Sequence, residues 1–215
     1  MFCGVMESGI GAPRTMSNFA NSLVSITHDF TAGMFQEMAE LHRMELSAGL
    51  LPLFGDAFLR KMYRFAVAFR GTKLIALLDG DQIAGFVMGS TGGGHFYRGL
   101  LLRTWPDILL ALLRRPSAIL RAVNVAAHVA TAPDQAELMS IVVRPDFRGR
   151  GVAKRLLEDF RCELKAAGAK CFFVIAATTQ PAALRFYEKA GGEVVRESTL
   201  GGLTTLTFRY DCSSR

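Results

Sequence analysis

The 215-residue chain has no run of about 20 apolar residues, the length a bilayer-spanning helix needs, so no transmembrane helix is predicted. Its first residues lack a basic segment followed by an apolar one, so no cleaved secretory signal is predicted. Cysteine is scarce: Cys3, Cys162, Cys171 and Cys212. None forms a C-x-x-C pair and none stands near a histidine at zinc spacing, which argues against a metal site and a disulfide framework. Free thiols, no metal and a cytoplasmic location are therefore expected. The Walker-type loop G-x-x-x-x-G-K-[ST] is missing as well. Acids are outnumbered, with 19 Asp and Glu against 25 Lys and Arg, a net charge of +6. Such a balance favours an anionic partner without choosing among nucleotide phosphates, nucleic acid and a membrane surface.

Hydrophobic residues make up 50% of the chain, enough for one sizeable core. Residues 1–20 are rich in glycine and small residues and read as a loose lead-in; 21–212 read as a single domain. Hydrophobic periodicity predicts a strand near 22–26, a helix capped by Thr31, a second helix over 56–69, and a hairpin turning at Asp79-Gly80-Asp81. A glycine break at 91–95 precedes an apolar, arginine-rich stretch whose Pro106 and Pro116 suggest two or three short helices. Then come a strand over 136–143, a helix over 151–167, a strand over 170–176, a helix over 181–190 and two last strands. This order gives an α/β or α+β sheet covered by helices, with a helical insertion at about 95–130.

The most informative segment is Leu138-Met-Ser-Ile-Val-Val-Arg-Pro-Asp-Phe-Arg-Gly-Arg-Gly-Val-Ala153. A hydrophobic strand enters a turn of Arg148, Gly149, Arg150 and Gly151, and a helix starts at once. Free N–H groups at a helix start bind anions, glycines let the backbone approach, and the arginines add charge. A dinucleotide fingerprint fails here because Lys154 stands where its third glycine belongs. The pattern [Q/R]-x-x-G-x-[G/A] fits every position from Arg148 to Ala153. A second motif lies downstream, Gln180-Pro-Ala-Ala-Leu-Arg-Phe-Tyr-Glu-Lys-Ala-Gly191.

Together these segments resemble the GCN5-related N-acetyltransferase (GNAT) family. In the second motif Ala183, Phe186, Tyr187, Lys189 and Gly191 match, while Gln180 replaces an asparagine and Gly192 a phenylalanine. The resemblance implies a mixed, mostly antiparallel central sheet flanked by helices, and acetyl-CoA as cosubstrate. Backbone groups of Ile141, Val142 and Val143 would pair with the pantetheine arm, and one of their N–H groups would hold the oxyanion. Gly149, Arg150, Gly151, Val152, Ala153 and Lys154 would cradle the pyrophosphate, with Arg148 beside them and Gln180 at the second motif. Tyr187 would protonate the leaving thiolate.

The expected acceptor is a small-molecule primary amine, and some group must take its proton. Glu137 is the first candidate, against the blander reading of a solvated strand end. Glu40 and His42 are further candidates, and His128 could line the acceptor pocket. The 95–130 insertion carries five arginines, among them Arg114 and Arg115, against Asp107 alone. It reads as a lid receiving an anionic acceptor such as a nucleotide- or lipid-linked amino sugar, as a peripheral membrane element, or as a homodimer contact. Its leucine-interleaved arginines do not suit nucleic acid, which wants aromatic platforms. A protein or peptide amine as acceptor, or a non-catalytic CoA-binding module, are the competing readings.

Overall fold

The computed structural model describes residues 24–26, 29–47, 51–114, 135–200 and 202–213. The lead-in expected over 1–20 lies outside them. In chain order the elements are β1 (Val24–Ile26), α1 (Ala32–Glu45), α2 (Asp56–Ala68), β2 (Thr72–Asp79), β3 (Gln82–Ser90), α3 (Gly93–Arg114), β4 (Glu137–Val143), α4 (Val152–Ala166), β5 (Cys171–Ala177), α5 (Pro181–Lys189), β6 (Glu193–Leu200) and β7 (Leu203–Asp211). The strands form one sheet in the order β1-β2-β3-β4-β5-β7-β6. Every neighbouring pair is antiparallel except β4 with β5.

Each helix is built as its periodicity dictates. The Thr31 hydroxyl accepts the Met34 N–H and opens α1, supplying one of the acceptors a helix start lacks. Val152, Leu156, Leu157, Phe160 and Leu164 recur on one side of α4, and all five are buried. Two cores result, one on each face of the sheet. Residues of α4 and α5 pack with Val87, Leu138, Phe172, Val174 and Phe208. On the other face α1, α2 and the start of α3 pack with Phe86, Met88 and Val142.

The insertion departs from expectation. Its described part is one helix that starts inside the glycine run and continues through Pro106. The Gly93 N–H bonds the Gln135 carbonyl at 3.4 Å, fixing the helix start beside β4. Pro106 has no N–H for the Leu102 carbonyl, but Leu102 is 81% exposed, so water can take the orphaned acceptor. Pro116 lies outside the described residues.

The β3–β4 ladder slips between Met88 and Gly89, where Met139 is the extra residue in β4. Gly89 makes this possible. A Cβ there would lie 2.3 Å from the Glu137 carbonyl oxygen and 2.3 Å from Cζ of Phe160. Neither neighbour can give way, one being backbone and the other a fully buried ring. Gly89→Ala should therefore destabilise by about 3 kcal/mol or more in denaturant unfolding. Gly33→Ala, where the nearest atom is 3.8 Å away, should stay within about 1 kcal/mol.

Candidate active site

Strands β4 and β5 pair only at Glu137↔Phe173 and Leu138↔Val174, although β4 runs on to Val143 and β5 to Ala177. Past Leu138 the sheet therefore opens into a gap. Which residues of β4 aim their backbone into it depends on the bulge. Before it, the Phe173 N–H bonds the Ala136 carbonyl at 2.9 Å, so even-numbered residues face β5. After it, the Arg144 N–H bonds the Ala84 carbonyl at 3.0 Å, so even-numbered residues face β3. Strand alternation then turns the N–H and C=O groups of Ile141 and Val143 toward the gap and those of Val142 toward β3. Two residues with open ladder positions can accept an extended, amide-bearing arm as an added strand.

The far end of the gap leads to a backbone cradle. Arg144 anchors the strand end by donating to the Ile83 carbonyl at 3.0 Å and pairing with Glu37 of α1. Gly149 and Gly151 have φ of 73° and 80°, the left-handed region glycine enters without steric cost. A Cβ on either would meet nothing within 4 Å, so this side of the loop is open. The first intrahelical bond of α4 is from the Arg155 N–H to the Gly151 carbonyl at 3.0 Å. The N–H groups of Val152, Ala153 and Lys154 thus have no intrahelical acceptor, and neither a side-chain cap nor a first-turn acid serves them. Unpaired donors at the positive end of a helix make an anion site. Around it, Arg148 pairs with Glu45, Arg150 lies 5.2 Å over the Phe147 ring, and Lys154 stands 3.8 Å from Glu158.

Tyr187 sits on α5, 6% exposed, with its ring 5.5 Å from that of Phe208. Burial, with Tyr210 adding to it, raises its pKa well above the ordinary phenol value, so it is neutral at any working pH. The Tyr187 carbonyl accepts from the Tyr210 hydroxyl at 2.7 Å and from the Gly192 N–H at 3.0 Å. A Cβ at Gly192 would lie 2.8 Å from the Tyr210 ring. That explains why glycine replaces the aromatic residue of the motif: Tyr210 already fills the space. Gln180 begins α5, its carbonyl accepting the Ala183 and Leu184 N–H groups at 3.0 and 3.2 Å.

Glu137 occupies the closed end of the gap, one residue before pairing with β5 ends. A Cβ on Gly93 would stand 3.0 Å from its Oε2, so the carboxyl lies against the first turn of α3. Burial pushes its pKa up from 4.5 to about 7. Tyr97 of the same turn feels that charge, and burial followed by Glu137 holds its phenol well above the ordinary value. On the same face of the sheet, His42 Nδ1 and the Tyr63 hydroxyl are 2.6 Å apart. Ser140, beside the bulge, influences Tyr63 as a hydrogen-bonding neighbour. Its Oγ has no well-formed partner among the described residues. Burial lowers His42 from 6.5 to about 4, so the ring is neutral at ordinary pH.

Sequence reasoning missed Tyr63, Tyr97 and Ser140. Their signal, single polar residues on apolar faces, is indistinguishable in sequence from ordinary core decoration. Glu40 is bonded by Gln36, which in turn binds Arg60 of α2. Arg114 ends α3; Arg115 and His128 lie outside the described residues.

Residues 35–192 match the Acetyltransferase (GNAT) family. The chain belongs to this family. Among solved structures, this GNAT acetyltransferase is similar to an acetyltransferase from Thermus thermophilus, at 14% identity and a TM-score of 0.56. The likeness covers 88% of this chain and 98% of that one. It is also similar to a dodecameric spermidine N-acetyltransferase from Vibrio cholerae, at 13% identity and a TM-score of 0.55, over 90% and 95% of the two chains. Those likenesses bear on the fold alone, and the mixed, mostly antiparallel sheet expected from sequence is the one found. No curated protein matches the chain in sequence. Family membership makes the chain an acetyltransferase, and acetyl-CoA is the family's acyl donor.

Proposed function

We propose that this GNAT acetyltransferase transfers acetyl from acetyl-CoA to a primary amine of an anionic small molecule, such as an amino sugar carried on a nucleotide or on a lipid diphosphate. The observation carrying the first half is the broken β4–β5 ladder, whose free edge at Ile141 and Val143 leads to the uncapped start of α4. An open strand edge can take the pantetheine amides and the cradle of N–H groups the diphosphate, with Arg148, Arg150 and Lys154 around it. Bound acetyl-CoA would supply an activated acyl carbon and a thiolate leaving group. The Ile141 or Val143 N–H donates to the thioester oxygen as charge develops there. Glu137, about half ionised near neutral pH, accepts the proton the attacking amine loses. Tyr187 donates its hydroxyl proton to the sulfur as the C–S bond breaks.

An anionic acceptor is favoured by charge. Arg98 and Arg103 of α3, the helix whose first turn meets Glu137, are exposed, and Arg114, Arg115 and His128 are assigned to acceptor contact from sequence position. The exposed arginines of α3 disfavour a polyamine, the substrate class named for the Vibrio cholerae neighbour. In thiol-release assays, amino-sugar phosphates should show higher kcat/KM than spermidine. The reverse order would end the anionic reading.

The donor site has its own test. Gly151→Val forces a β-branched residue into φ 80°, which costs roughly 1–2 kcal/mol. Calorimetry should show acetyl-CoA affinity falling about tenfold or more. A wild-type protein that is folded but releases no heat with acetyl-CoA would overturn the assignment.

A further inference from the structure

Helix α3 is apolar on both sides. Phe96, Leu100 and Thr104 face inward and are buried. Leu102, Trp105, Leu109 and Leu113 recur at helical spacing on the opposite side and are 81%, 62%, 50% and 73% exposed, with Leu101 and Leu110 at the margins. Among the described residues nothing covers this stripe. A helix hydrophobic all round is ordinarily buried on every side, and an apolar patch of this kind marks an interaction surface. The charges around it have one sign. Arg98 and Arg103 are exposed, while the helix's one acid, Asp107, is turned aside and held by Lys61 at 2.8 Å.

We infer that α3 docks this stripe on the surface of an anionic phospholipid bilayer, lying in the headgroup region with its leucines and Trp105 turned toward the acyl chains. Leucine-rich apolar faces flanked by arginines bind such surfaces through apolar burial plus attraction to anionic lipid, and tryptophan settles at that depth. Pro106 sets a limit on depth. It leaves the Leu102 carbonyl without a helical partner, which is costly in hydrocarbon and harmless among headgroups. A second copy of the chain is a poorer occupant, because a two-fold contact would set the arginines of one stripe against those of the other with no acid between them. The inference does not rest on the acetyl-transfer reading.

Trp105 is the only tryptophan in the chain, so intrinsic fluorescence reports on this helix alone. With phosphatidylglycerol-containing vesicles its emission should shift to the blue and the protein should float with the lipid. Pure phosphatidylcholine vesicles should give neither effect. The shift should be lost at 1 M salt, where screening length is about 3 Å, and in Leu102→Glu and Arg98→Glu, both exposed positions whose folding circular dichroism can verify. Four results would overturn the inference. One is an emission unchanged by anionic vesicles. Another is equal binding to neutral vesicles. A third is a shift that follows protein concentration without lipid, which would assign the stripe to a second copy. The last is an indole already shielded from quenchers in lipid-free protein, which would assign it to the chain's own residues 115–134.

Discussion

Glu137→Gln is expected to lower kcat by about 10²–10⁴-fold, the usual contribution of a positioned general base, while leaving acetyl-CoA affinity unchanged. The amide keeps the shape of the side chain but cannot take the amine's proton. Wild-type kcat should rise with pH through about 7, where Glu137 ionises, and the variant should lose that limb. A variant that retained both rate and limb would remove Glu137 from the reaction. The same substitution also reads out in stability. Between pH 4.5 and 7 the folded chain keeps a proton on Glu137 that the unfolded chain has released. This contribution is full below 4.5 and is lost as pH rises to 7. His42 runs the other way. Its folded value is near 4 against 6.5, so the unfolded chain gains a proton the folded one lacks, and stability is lost as pH falls from 6.5 to 4. Each effect amounts to about 3 kcal/mol across its window. Between 4.5 and 6.5 they oppose one another, so wild-type stability should be nearly flat there. Glu137→Gln leaves only the histidine slope, and denaturant midpoints should then fall steadily on acidification.

The anion cradle was legible in sequence because it depends on local chemistry. Two glycines separated by one residue at a strand–helix junction have few other uses, and Gly149 and Gly151 do take the left-handed conformation. The strand edge was legible only as a segment. Strict alternation in β4 would carry the phase of Ala136 through to Val142; the bulge at Met139 reverses it and presents Ile141 and Val143 instead. That reversal is set by Gly89 and Phe160, residues 50 and 21 positions away from the bulge by number, and no local pattern encodes such a contact. The same holds for Gly192, whose departure from the family motif is answered by Tyr210 on another strand. Pro106 misled for the opposite reason. A proline breaks a helix when its orphaned carbonyl is buried, and here that carbonyl belongs to an exposed residue. Tyr187 and Tyr97, the neighbour of Glu137, belong to different cores. Tyr187 packs with α4 and α5, whereas Tyr97, beside Glu137, packs with the α1–α2 core. The two side chains proposed as base and acid thus belong to opposite faces of the sheet.

Tyr187→Phe should lower kcat by about 10²–10³-fold, within the range for loss of a positioned acid. It keeps the ring against Phe208, so stability should change little and acetyl-CoA affinity should hold. The physical reason for so large an effect is the leaving group. A thiolate of ordinary basicity, with a thiol pKa of about 8.5, departs into a buried site where its charge is costly unless a donor meets it. Tyr187 is suited to that task because burial keeps its phenol protonated, and it cannot be lost to ionisation as pH rises. A more acidic thiol needs less help. With an acyl donor built on such a thiol, the gap between wild type and Tyr187→Phe should therefore narrow. A deficit that stays the same across leaving groups would mean that the hydroxyl acts by packing or binding, and the proton would have to reach the sulfur from elsewhere.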